Sequence, residues 1–269
     1  MSILTAPTTP STTAPTDTVH RVTFLRVVRS ELIKLSSLRS TWWSLGIAVF
    51  LSVGIATMIA SASAEFGPGF PAVSSILMPT QFTMLVAGIL GAIAVTGEYS
   101  TGMIRSTLAA EPRRGAVLAA KAVVVALLMG GATIVSYAIA IGTTAPLLSE
   151  QIDWTDAANS VTPLAYGVLS MISFALIGVG WGFIVRNGAG AIAATVALLF
   201  VLPIVTSLFT IAGESWRWIV DLGEYLPMNA SAALSTPGAQ DVLPSLLALV
   251  GWVAVLILGG YAVLKTRDA

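Results

Sequence analysis

Six apolar runs, at residues 42–63, 76–96, 117–143, 164–185, 188–211 and 242–264, constrain this chain more than any other feature. Each reaches the roughly 20 residues that carry a helix across the hydrocarbon core of a bilayer. A segment surrounded by lipid must satisfy its own backbone hydrogen bonds, so each run predicts a helix. Only Arg186 and Asn187 part the fourth run from the fifth, and this pair reads as a tight turn. The expected fold class is an all-α polytopic membrane protein with six transmembrane helices. Composition agrees: of 269 residues, 56% are hydrophobic and 10% charged, against about 25% charged in soluble domains.

Residues 1–20 are rich in Thr, Pro, Ser and Ala and read as a disordered cytoplasmic tail. In 21–41, Leu25, Val28, Leu32 and Leu35 recur at helical spacing, while Arg26, Arg29, Ser30 and Lys34 fall on other faces. That pattern, with Glu31 within it, describes an N-terminal interfacial amphipathic helix preceding a six-span domain over 42–269. Segment 213–241 mixes Trp216, Trp218, Ile219, Val220 and Leu222 with acids, and reads as short helices on or in the outer leaflet.

Thirteen Lys and Arg balance thirteen Asp and Glu, so no net field draws in nucleic acid. Their placement is strongly biased. Twelve of the thirteen basic residues flank the spans on one face, with Arg217 alone on the other, which carries Glu65, Glu150, Asp153, Asp156, Glu214, Asp221, Glu224 and Asp241. The positive-inside rule then makes both termini cytoplasmic.

The mid-span positions carry no acid, base or histidine, the groups with which ion-coupled carriers bind their driving ion. Intramembrane hydrolysis lacks its residue sets as well. There is no cysteine, one histidine (His20) and no GxxxxGK[ST] phosphate loop, so no cofactor is expected to bind this chain directly. Gly178 and Gly182 form a small-xxx-small face suited to close helix packing. The substrate-binding residues are not legible: Phe82, Met84, Met171, Phe174, Trp181 and Phe200 fit a pathway lining, a lipid face or a core equally well.

The connection at 97–116 has a finer logic. Glu98 stands where the second span ends, placed to cap the loop or pair with a base, and Gly102 permits a bend. Residues 103–108 make one to two helical turns with Ile104 and Leu108 four apart, and Pro112 closes the segment. Arg105, Arg113 and Arg114 lie beside it. A short helix between two bends can seat in a groove of a partner and transmit a push.

The ordered set Glu98, Thr101, Gly102, Leu108, Pro112, Arg113, Arg114 and Lys121 resembles the pattern of type-2 ABC exporter permeases. Ser30 to Leu35 and Arg39 to Trp43 are similar to the lead-in to the first span in permeases of this family from high-GC Gram-positive bacteria, although the usual glutamate cluster is reduced to Glu98. The resemblance implies a permease subunit paired with a second permease copy, the same or related, and with separately encoded ABC ATP-binding subunits that bring ATP and Mg. It implies a bacterial plasma membrane as the location and contact of the interfacial helix and the 97–116 coupling loop with the ATPase; as for the exported substrate, an apolar lining made of Phe82, Met84, Met171, Phe174, Trp181 and Phe200 would suit an amphipathic or hydrophobic molecule such as a peptide, an antibiotic or a lipid-like compound. A non-transporting anchor or sensor, or an ion-coupled carrier, are the other readings of six such spans. Because the chain has no native cysteine, the orientation can be tested with single cysteines. A membrane-impermeant thiol reagent applied to intact cells should label Glu65→Cys, Asp153→Cys and Asp221→Cys but spare Arg105→Cys, Arg186→Cys and Arg267→Cys; the reverse pattern would invert the topology.

Overall fold

The computed structural model describes residues 23–66, 71–148, 152–211, 213–240 and 242–267, and among them every regular element is helical. The tail at 1–20 and residues Arg21, Glu150 and Asp241 lie outside the described residues. Helix α1 (Phe24–Ser37) precedes the first long helix, α2 (Arg39–Phe66). Helices α3 (Ala72–Leu77) and α4 (Thr80–Thr101) follow, then the short α5 (Met103–Ala110), α6 (Arg114–Thr144) and α7 (Val161–Val185). Then come α8 (Gly188–Val196) and α9 (Leu202–Leu208), the short α10 (Arg217–Gly223) and α11 (Pro227–Leu234), and finally α12 (Leu243–Thr266).

Among the described residues, six segments are long and apolar enough to cross a membrane: Arg39–Ala64, Ala72–Thr101, Arg114–Thr144, Val161–Val185, Gly188–Ile211 and Leu243–Thr266. The chain is a multi-pass membrane protein. The fifth segment coincides with its apolar run, whereas the third begins at Arg114, before Val117, because a helix continues through polar residues once it is nucleated. Alternate crossings bring α1, α5, the turn at Arg186 and the end of α12 to one end of the bundle; α3, α10 and α11 lie at the other.

Between α1 and α2, Leu38 is extended (φ −82°, ψ 121°), so the two are separate helices and not one long span with a basic foot. The amphipathic helix is shorter than its expected range of 21–41, because residues 39–41 already belong to α2.

Helix α7 is the central post, touching α4, α6, α11 and α12. Its glycines allow unusually close backbone approach. A Cβ on Gly178 would sit 1.9 Å from the Gly88 carbonyl oxygen, and one on Gly91 would sit 1.9 Å from that of Ala175. Gly182 faces the Val95 side chain on α4, and Gly180 faces Leu256 on α12. In lipid, where helices gain nothing from hiding apolar surface, such contact supplies dispersion energy that larger side chains would prevent.

The fifth crossing contains a π turn, Ala197–Val201, in which the Leu202 N–H donates to the Ala197 carbonyl five residues back. Pro203 explains it: a proline clashes with the carbonyl four residues earlier and donates no hydrogen bond, and widening the helix there relieves the clash. Beyond this crossing, α10 and α11 form the expected pair of short helices. Leu226, Ala230 and Leu234 are buried, α11 lies against α7 and α12, and Trp252 Nε1 donates to the Tyr225 carbonyl at 2.9 Å.

Candidate functional site

On α1, Val27, Glu31 and Leu35 recur four apart and are all buried, so the inward face of this helix carries a carboxylate. The expected apolar stripe is split: Leu35 and half-buried Val28 turn inward, while Leu25 (76% exposed) and Leu32 (41%) face out with Arg26 and Arg29. Glu31 meets the end of α4 and the second turn of α6. There Lys121, only 1% exposed, lies 2.5 Å from Glu31 Oε2 and 2.9 Å from Glu98 Oε1 through its Nζ. Lys34 Nζ closes the set, donating to Glu31 Oε1 at 2.7 Å, Glu98 Oε1 at 3.1 Å and Thr107 Oγ1 of α5 at 3.0 Å.

Two ammonium groups and two carboxylates thus alternate in a neutral cluster that joins α1, α4, α5 and α6. Neutrality is what makes it tolerable. A single ion moved into such surroundings costs several kcal/mol, and mutual attraction repays that only when each charge has partners. Burial opposes the charge on Glu31, but Lys121 and Lys34 outweigh it and hold the carboxyl below its usual range. Burial likewise disfavours the Lys34 ammonium, yet Glu31 and Glu98 raise its pKa. Glu98 Oε2 is buried with no hydrogen-bond partner among the described residues, so the Glu98 carboxylate is held through one oxygen.

The loop segment is built around Gly102, which ends α4 and begins α5 in the left-handed region (φ 72°, ψ 3°). Glycine adopts that conformation without the Cβ penalty. Glu98 does not cap α5; of the two roles open to it in the sequence, it takes the ion pair. Ile104 is buried and Leu108 half-buried, seating α5 against the bundle, while Thr101, Arg105 and Pro112 are exposed.

The basic residues of the loop divide. Arg113 folds back on Glu111, with its Nε 2.8 Å from Oε1 and its Nη2 2.9 Å from Oε2, and this hydrogen bonding keeps the Glu111 carboxyl below its usual range. Arg114 instead reaches across to the end of α12, where Nη1 donates to the Leu264 carbonyl at 2.6 Å. Arg186 donates to the Val263 carbonyl at 2.9 Å, and its guanidinium lies 5.3 Å from the centre of the Tyr99 ring. The last carbonyls of a helix lack intrahelical donors and carry partial negative charge, which two arginines satisfy here.

The structure therefore brings Glu31, Lys34 and Glu98 together, leaves Arg26, Arg29 and Arg105 exposed, and sends Arg114 to another helix. It also gives a central position to Lys121, which in the sequence stands out only as the last member of the ordered set that begins at Glu98. A lone charge in an apolar run, on the stripe of Val117, Leu118, Val124 and Val125, was the available signal. Met84, Met171 and Phe174 are packed in the core. Comparison with protein-family models and with curated proteins finds no match.

The charge cluster gives the attachment of α1 a defined pH window. Glu31, with its depressed folded pKa, contributes stability that is full above its ordinary value of 4.5 and lost as the pH falls through the folded value. Lys34, with its raised pKa, contributes stability that is full below 10.5 and lost as the pH rises through the folded value. Hydrogen exchange of the α1 amides, corrected for intrinsic rates, should show constant protection between these limits and loosening beyond each. A stepwise loss of protection near neutral pH would contradict the assignment.

Proposed function

We propose that this chain is the membrane-spanning permease subunit of an ATP-driven exporter of the type-2 ABC class. The observation that supports this reading most is the seating of α5. This short helix lies between the left-handed Gly102 and Pro112, and Thr107 on it is bonded to the same Lys34 that pairs with Glu31 and Glu98. A displacement of α5 would therefore pull on α1 and on two membrane helices together. That is the connection an external ATPase needs if its movement is to reach the spans.

In this reading the α1 end faces the cytoplasm, as the twelve basic residues there favour, and a separately encoded ATP-binding subunit docks on α5 and the exposed side of α1. A second permease copy completes the pathway. ATP and Mg enter through the partner, since this chain has no phosphate loop. The cargo is an amphipathic or hydrophobic molecule such as a peptide, an antibiotic or a lipid, in keeping with spans whose mid-positions carry no charge. For transport to result, that cargo must bind the two cavity states differently.

The test is transport per ATP hydrolysed, measured in membranes carrying equal amounts of assembled complex. Gly102→Pro demands a φ near −65° where the chain has 72°, so it should unseat α5 without touching a span. Glu98→Ala removes one of the two carboxylates between Lys34 and Lys121. Charge-assisted contacts of this kind are worth about 1.5–3 kcal/mol, which corresponds to roughly 10- to 100-fold in coupling. Both variants should insert normally and lose at least about tenfold in coupled transport; parental coupling in both would leave α5 a mere positive loop.

A further inference from the structure

Between α2 and α6 runs an open apolar groove of about 800 Å³, lined by Trp42, Gly46, Phe50 and Gly54 on one side and by Gly131 and Val135 among others on the second. Its floor is glycine: a Cβ added to Gly46, Gly54 or Gly131 would meet nothing within 4 Å. Its walls are large side chains, with Phe50 76% and Leu127 64% exposed. The groove has two distinct ends. At the α1 end stands Trp42, its ring fixed by an Nε1–H donated to the Ser36 carbonyl at 2.7 Å. At the other end the helices close on each other where the hydroxyls of Thr57 and Thr143 lie 3.2 Å apart.

The length between these ends identifies the occupant. From Trp42 to Gly54 the helix rises about 18 Å at 1.5 Å per residue, close to the roughly 15 Å depth of one leaflet's hydrocarbon. A helix from a second copy would cross both leaflets and meet the closed ridge at Thr57. An acyl chain of one leaflet ends where the groove ends. The mouth supplies a charge as well: Arg39 lies one turn before Trp42 on the same stripe of α2 and is exposed, and among the described residues no acidic one lines the groove.

We propose that the α2–α6 groove is a binding site for one anionic phospholipid of the leaflet at the α1 end, with an acyl chain along the glycine floor and the headgroup at Arg39. The site is independent of the export reading, because it needs neither an ATPase nor a transported substrate. A lipid seated there would fill the gap beside α2, which meets the bundle through Leu45 and through a row of smaller residues, Ala48, Ser52, Ala56 and Ala60.

The full chain, purified in mild detergent and exchanged against equal amounts of palmitoyl-oleoyl phosphatidylglycerol and phosphatidylcholine, is examined by native mass spectrometry. One lipid per chain should be retained, with phosphatidylglycerol preferred about fivefold, the effect of one basic residue near an anionic headgroup. Arg39→Gln should keep the occupancy and lose the preference. Gly46→Leu with Gly131→Leu, whose side chains enter open space, should keep the thermal unfolding profile and lose the lipid. Equal retention of both lipids by the parent chain would overturn the headgroup assignment. Undiminished retention in the glycine double variant would overturn the groove assignment, as would a loss of dimer mass in its place, which would give the groove to a second copy.

Discussion

Burying the Lys121 ammonium calls for counter-charges, and the two carboxylates that meet it come from different helices, Glu31 on α1 and Glu98 on α4. This requirement organises the α1 end of the molecule. It turns α1 so that an acid faces inward and recruits Lys34 to balance the second negative charge, while the extended Leu38 parts α1 from α2. Lys34 then reaches Thr107, so α5 joins the same cluster. A neutral set of four charges holds by direction and number of contacts, which makes it sensitive to small displacements in a way that an apolar contact is not.

The rest of the bundle has a different character. Where α4 meets α7, glycines allow backbones to touch, and the contact has little room to slide because a shift of one residue brings side chains against main-chain oxygens. Helix α12 is tied at its end by Arg114 and Arg186. A rigid centre of α4, α7 and α12 thus carries at its edge a helix, α1, whose position depends on charge pairing. Helix α2, attached through Leu45 and a row of smaller residues and exposed along its other face, stands between the two regimes.

Much of this was legible in the sequence because the bilayer imposes a simple rule. Spans can be counted from apolar length, and Gly102 and Pro112 bracket a short helix whatever surrounds it. The pairing of Gly178 with Gly88 follows a spacing that can be read, but its partner helix cannot, since several spans carry small residues. The charge cluster was hidden for a plainer reason. Glu31 and Lys34 sit three apart on an amphipathic helix, where nothing in the sequence distinguishes them from the exposed Arg26 and Arg29, and only the fold puts Lys121 and Glu98 against them. The apolar stripe of α1 misled in the same way, because Leu25 and Leu32 face outward and leave the inner face to Val27, Glu31 and Leu35.

A double-mutant cycle on Glu31 and Lys121 tests most directly whether their pairing holds α1 to the bundle. Glu31→Gln, Lys121→Met and the double variant are compared with the parent through the free energy of α1 opening, read from hydrogen exchange at neutral pH. Each single change leaves the four-charge cluster with one uncompensated charge, so each should cost about 3–5 kcal/mol, while the double variant, neutral again through Lys34 and Glu98, should recover a large part of that loss. A coupling energy of at least about 1.5 kcal/mol is expected from groups in direct contact; additive effects, with coupling under about 0.5 kcal/mol, would mean that α1 is held by its apolar contacts and that the cluster does not govern its position.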